Sequence, residues 1–143
     1  MGIVNPRRRG LDDDGSILPL VLGYGILAIA LVFVCVCATS LYIAQKRVDA
    51  VADAAALAGA DGFDLSLDGD EPRAVLTSAG VAEQAAVVVD AATGEAALVS
   101  ADTPDGVSAR VTVAGVWHPP LVSAFVPDGV QLRATATSRT ALR

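Results

Sequence analysis

The sequence predicts an α+β protein in which a long N-terminal transmembrane helix continues into a small extracytoplasmic domain with one further helix and an antiparallel sheet of three to four strands. Three observations lead to this prediction. Apolar residues make up 53% of the chain and charged residues only 18%, which is unusual for a soluble domain. One uncharged segment near the amino terminus has the length of a membrane span. The distal half alternates apolar and polar residues between turn sequences.

The membrane span is predicted over residues 17–44, which contain no Asp, Glu, Lys, Arg or His. About 20 apolar helical residues cross the hydrocarbon core of a bilayer, so this segment is long enough to span. Three arginines, Arg7 to Arg9, precede it, and this bias places residues 1–16 in the cytoplasm as a leader. The alternative is a secretory signal cleaved after Ala60, although the apolar run is about twice the usual length of such a region.

Residues 45–60 predict a helical extension of the span, because they are rich in alanine and contain no proline. Ala50, Ala54 and Ala58 recur at a spacing of four and form a smooth ridge that another helix can approach closely. We therefore predict a helix-packing face on these three alanines. A neighbouring face carries Lys46, Asp49 and Asp53, where Lys46 attracts Asp49 and the two aspartates repel each other unless a cation intervenes. A cationic partner is one interpretation of this face, and a solvated surface above the lipid headgroups is the alternative.

Residues 42–60 read YIAQKRVDAVADAAALAGA and follow a single apolar span. This segment resembles the TadE/TadG-like proteins of Flp (Tad) pilus assembly, and the alanine and valine bias is typical of their actinobacterial branch. The motif residues are Tyr42, Asp53, Ala54, Ala55, Leu57 and Ala58. The resemblance implies a pilin-like fold and a minor pilin-like or accessory structural subunit of a Tad-type pilus or secretion apparatus. Its partners would be the lipid bilayer, other pilin-like subunits and the Tad assembly machinery.

The resemblance also implies processing by a prepilin peptidase between Gly15 and Ser16. The sequence departs from the family at two positions, since Asp49 replaces a usual glutamine and Leu20 stands where prepilins carry a glutamate. In pilins this glutamate compensates the new amino terminus of a neighbouring subunit. Its absence favours the alternative function, a permanently membrane-anchored extracytoplasmic binding module that does not enter a filament.

The distal part of the chain predicts an acidic linker at residues 61–71 and an α+β domain at residues 72–143. The linker resembles the start of a calcium loop but has Val75 where the twelfth position requires glutamate. A helix is predicted to begin at Pro72. Alternating strands follow, with a chain reversal at residues 102–106, whose sequence is DTPDG, and a closing strand at residues 130–140.

The chemistry of an enzyme is missing from this sequence. His118 is its single histidine, and no nucleophile motif accompanies it. Cys35 and Cys37 lie within the span, where apolar packing is their simplest role and an intermolecular disulfide is the alternative. A net charge of −6 argues against nucleic acid as a partner. We therefore predict a non-enzymatic protein without cofactor, metal or small-molecule substrate.

Overall fold

The computed structural model describes residues 14–69, 71–92, 94–120 and 122–139. The elements, in chain order, are α1 (Asp14–Ala60), β1 (Phe63–Asp68), β2 (Glu71–Leu76), α2 (Ser78–Ala91), β3 (Ala97–Asp102), β4 (Ser108–Trp117) and β5 (Val130–Arg139). This order confirms the predicted α+β class, with a long N-terminal helix, one further helix and antiparallel strands. Most of the predicted leader, including the three arginines, lies outside the described residues.

The chain divides into two compact units, residues 1–36 and residues 37–143. In the first unit, helix α1 exposes apolar side chains on every side from Ile17 to Val36, and only Phe33 is half-buried. A helix that is apolar all round is stable only where another apolar medium surrounds it. Within the described part of the chain, α1 is the one helix that is long and apolar enough to cross a membrane by length and composition. The protein is thus a membrane protein, with one candidate span among the described residues.

The second unit is built on a three-stranded antiparallel sheet with the strand order β3-β4-β5. Alternate residues of β4 and β5 face a buried core, because successive side chains of a strand point to opposite faces. Helix α2 and the last turns of α1 cover that face. The core residues are Ala109, Val111 and Val113 of β4, Leu132 and Ala134 of β5, Val81, Ala85 and Val89 of α2, and Val48, Ala52, Ala55, Ala56 and Ala60 of α1, with Leu76 beside them.

Two glycines allow α1 to approach its neighbours closely. A β carbon built on Gly59 would lie 3.0 Å from Val81 Cγ1 and 3.3 Å from the β carbon of Ala109. On the sheet side, a β carbon on Gly115 would lie 2.8 Å from Val48 Cγ2. Protein interiors are close-packed, so side chains at these positions would force the helix away from the sheet.

The predicted helix from Pro72 is wrong, because residues 71–76 form strand β2. This strand pairs with β1, and Gly69 makes the connecting turn with a φ of +72°, so most of the predicted linker is a β-hairpin. Proline is compatible with β2 because both strands of a two-stranded sheet are edge strands, and an edge strand has backbone N–H groups that face away from its partner and need no hydrogen bond within the sheet. Helix α2 begins instead at Ser78, where the Thr77 hydroxyl accepts a hydrogen bond from the backbone N–H of Gly80 at 3.2 Å.

The predicted reversal and closing strand agree with the structure. The DTPDG sequence joins β3 to β4, with Gly106 at a φ of +74°. The Asp105 carboxylate stabilises this turn by accepting hydrogen bonds from the backbone N–H groups of Val107 at 3.1 Å and Ser108 at 2.6 Å, and from the Ser108 hydroxyl at 2.8 Å. Strand β5 occupies residues 130–139 of the predicted 130–140.

Candidate assembly surface on the long helix

Within the second unit, helix α1 has one covered face and one open face. The covered face follows the i, i+4, i+7 pattern of an amphipathic helix and packs into the domain core. The open face carries Ala50, Asp53, Ala54 and Leu57, and the Leu57 side chain is 60% exposed. Ala50, Ala54 and Leu57 make this face mainly apolar, and an exposed apolar face is a candidate contact surface, since a partner that removes it from water lowers the free energy.

The predicted packing alanines divide between exposed and partly covered positions. Ala50 and Ala54 are exposed, whereas Ala58 is half-buried. Ala50 and Ala54 form one wall of a shallow groove of about 380 Å³, together with Val51. The opposite wall is supplied by α2 through Val87, Val88, Ala91 and Ala92. All seven lining residues are apolar, and Val87 is 64% exposed.

The family-motif residues also divide between two roles. Ala55 is fully buried and packs into the core of its own domain. Tyr42, Asp53, Ala54 and Leu57 are exposed. The spacing-of-four argument selected one ridge of small residues and missed the buried one, which includes Ala52, Ala56 and Ala60. An i, i+3, i+4 count beginning at Val48 would have found it.

A polar group borders the open face on the side away from α2. The Lys46 ammonium lies 3.3 Å from Asp49 Oδ2 and 5.8 Å from the centre of the Tyr42 ring. Gln45 Nε2 donates to Asp49 Oδ1 at 2.9 Å and to the backbone carbonyl of Arg133 at 3.1 Å. The hydrogen bond from Gln45 lowers the pKa of the Asp49 carboxyl, and the hydrogen bond and positive charge of Lys46 lower it further. Gln45, which the sequence did not single out, therefore links α1 to β5.

The predicted processing positions lie at the start of α1. Gly15 and Ser16 belong to its first turn, directly before the exposed apolar segment. Leu20, the position at which prepilins carry glutamate, is exposed within that segment. Cleavage between Gly15 and Ser16 stays a prediction.

Side chains that support catalysis or metal binding are scattered. His118 is exposed at the residue after β4. Across the described ranges, no three His, Cys, Asp or Glu side chains gather in a way that could hold a metal ion.

Comparison with known proteins confirms the resemblance seen in the sequence. Residues 15–62 match the family model described as putative Flp pilus-assembly TadE/G-like. The matched range covers the apolar segment and the alanine-rich extension, and it ends where the β1–β2 hairpin begins. No curated protein matches the chain, and no solved structure matches it.

Proposed function

We propose that this chain, whose residues 15–62 carry the TadE/G-like pilus-assembly segment, acts as a minor pilin-like or accessory structural subunit of a Tad-type pilus or secretion apparatus. Its activity is assembly through helix packing. The observation that carries the proposal is the open apolar face of α1. Ala50, Ala54 and Leu57 remain exposed, although the same helix buries four alanines in its own domain.

Small residues suit this face to a second helix. Helix axes pack at about 8 to 10 Å, and the lower end of that range requires Ala or Gly at the contact. Ala50 and Ala54 are one helical turn apart, and Val87 of α2 borders the same groove. A helix that lies along this groove would bury apolar surface, and each Å² removed from water would lower the free energy of the complex by roughly 25 cal/mol.

The partners follow from this mechanism. The lipid bilayer surrounds the apolar segment from Ile17 to Val36, and other pilin-like subunits of the Tad machinery supply the packing helices. When the apparatus extracts the subunit, this segment passes from lipid into a bundle of similar helices. Both environments are apolar, so the transfer needs no exposure of the segment to water. Arg7 to Arg9 favour a cytoplasmic amino terminus and an extracytoplasmic domain.

The substitution Ala54→Leu tests the proposal. A leucine on the open face would hold a partner helix at a greater distance, so we expect less co-isolation of Tad components from detergent-solubilised membranes of cells that express the pilus genes. Ala97→Leu is the matched control, because Ala97 is exposed on β3 and does not line the groove. Equal co-isolation of Tad components by wild type and Ala54→Leu would contradict the proposal.

A second candidate function, the permanently anchored binding module, is favoured by Leu20 in place of glutamate. Mass spectrometry of the mature amino terminus separates the candidates. A chain that starts at Ser16 indicates pilin-like maturation, and an intact leader indicates a permanent anchor. A chain that starts at Asp61 indicates a secreted domain and contradicts both.

A further inference from the structure

The loop between β4 and β5 forms a second exposed apolar surface. Residues 119–127 read PPLVSAFVP and contain no charged side chain. Phe125 is 84% exposed, more than any other large apolar side chain among the described residues. Three backbone hydrogen bonds order the turns that carry it: Phe125 N–H to Val122 O at 2.9 Å, Val126 N–H to Ser123 O at 3.2 Å, and Gly129 N–H to Val126 O at 3.1 Å. The fold thus holds this phenylalanine outward.

This loop is attached to a defined level of helix α1. The Trp117 indole N–H donates to the Ser40 hydroxyl at 3.1 Å. The Cys37 thiol makes a weak hydrogen bond to the backbone carbonyl of Pro120 at 3.9 Å. Ser40 and Cys37 both belong to the uncharged run that ends before Lys46, the first basic residue after Arg9. The loop therefore lies beside a part of the helix that carries no charge.

The length of the apolar segment indicates where this level lies in a membrane. Residues 17–36 are exposed on every side of the helix apart from Phe33. At a rise of 1.5 Å per residue, these residues span roughly 30 Å, the thickness of the hydrocarbon core. Cys37 is the next residue of the same helix. A span that ends at Val36 places Cys37 and Ser40 at the headgroup region.

We propose that the membrane span is residues 17–36 and that the described part of the β4–β5 loop, residues 118–120 and 122–129, rests on the lipid surface with Phe125 inserted into the interfacial layer. Lipid is the occupant because the loop contacts Cys37 and Ser40, which follow the apolar residues 17–36 directly in the sequence. The loop also lacks charge until Asp128. Aromatic side chains are favoured at this depth, and Tyr42 lies only two residues beyond Ser40. The proposal does not depend on the proposed assembly function.

Tryptophan fluorescence tests the proposal, because Trp117 is the chain's one tryptophan. The double variant Trp117→Phe/Phe125→Trp moves the reporter to the loop. The matched control, Trp117→Phe/Val87→Trp, places it on α2, where Val87 borders Ala50 and Ala54. These alanines lie 13 and 17 residues beyond Cys37, or about 20 to 25 Å along the helix. The full chain is reconstituted in phosphatidylcholine vesicles that contain a lipid with a nitroxide near the headgroup.

We expect the nitroxide lipid to remove several-fold more emission from the reporter at position 125 than from the control at position 87. Aqueous iodide should show the opposite order. Equal quenching by the lipid at both positions, or strong iodide quenching at position 125, would overturn the proposal. Protection of position 125 from both quenchers would assign the loop to a protein contact and would also overturn it.

The wild-type chain provides a measurement that needs no substitution. Trp117 lies beside Ser40, so its own emission should respond to the nitroxide lipid and resist iodide. The reverse order would contradict the proposal even if the Trp117→Phe variants failed to fold. Because the purified chain is measured alone in vesicles, the result is independent of whether the chain co-isolates with Tad components.

Discussion

Gly115 of β4 lies against Val48 of α1, and a β carbon on the glycine would lie only 2.8 Å from the Cγ2 atom of the valine. Helix α1 therefore crosses the sheet where a strand residue has no side chain. Val48 is the first of the α1 residues that belong to the domain core, which continues along the helix to Ala60. Its consequences are testable by substitution at either residue.

Gly115→Ala should lower the free energy of unfolding of the domain by about 1 to 3 kcal/mol, the usual effect of overpacking. Thermal unfolding in detergent, followed by circular dichroism, measures the change. Val48→Ala provides the matched test. It removes the methyl group that the new β carbon meets, so the double variant should be more stable than the sum of the two single effects predicts. Strict additivity would show that the two residues do not share a contact.

Ala54 and Ala55 are adjacent in sequence but opposite in exposure, so identical substitutions should have different effects. Ala55 is fully buried, and Ala55→Leu should lower the free energy of unfolding by about 1 to 3 kcal/mol. Ala54 is exposed, and Ala54→Leu should change it by no more than about 0.5 kcal/mol. Thermal melts of both variants in the same detergent make the comparison. Equal destabilisation would contradict the assignment of the two faces of α1.

Asp105 should make the domain sensitive to acid. Hydrogen bonds from the Ser108 hydroxyl and from the backbone N–H of Val107, with a smaller effect of the Arg139 charge, lower the pKa of this carboxyl below its ordinary value. A carboxylate with a lowered pKa in the folded state contributes stability above its unfolded pKa. This contribution is lost as the pH falls through the folded pKa. The melting temperature of the wild type should therefore decrease in this acidic range.

Asp105→Asn should reduce the loss of melting temperature between neutral and acidic pH, because the asparagine does not titrate. The two proteins should differ most near neutral pH and least at the acidic end, where the aspartate is protonated. Ser108→Ala removes the largest cause of the lowered pKa, so its profile should lie between those of the other two. Parallel profiles for wild type and Asp105→Asn would contradict this prediction.

Thr77 should determine where α2 begins. Its hydroxyl accepts the hydrogen bond from the Gly80 N–H, so Thr77→Ala should lower the free energy of unfolding by about 1 kcal/mol. Thr77→Ser retains the oxygen and should restore most of the loss. Chemical denaturation in detergent measures both variants. A serine variant as unstable as the alanine variant would indicate that the β-branched side chain, and not the cap, is responsible.

The sequence predicted those elements whose signal lies within one segment. The apolar run and the alanine-rich extension predicted α1, and alternation predicted β4 and β5. The β1–β2 hairpin was missed because its acidic residues and Gly69 suggested a loop. Phe63, Leu65 and Leu67 nevertheless alternate with Asp64, Ser66 and Asp68, which is the period of a strand.

For the candidate surface, spacing alone identified Ala50, Ala54 and Ala58 as a ridge. It could not show that Ala55 faces inward, because this depends on where the sheet packs. The attachment of the β4–β5 loop to Ser40 was also beyond prediction, since Trp117 and Ser40 are 77 residues apart. Contacts between segments so distant in sequence become visible only in the folded chain.

Because one face of α1 is covered by its own domain, only the open face can contact a further helix between residues 50 and 57. The open face of Ala50, Asp53, Ala54 and Leu57 covers a sector of roughly 100° around the helix axis. A sector of this width accommodates a single partner helix. Under the proposed function, a filament with more helices around each copy of the chain would have to contact them along residues 17–36, where every side chain except that of Phe33 is exposed. This apolar segment would then set the stoichiometry of assembly.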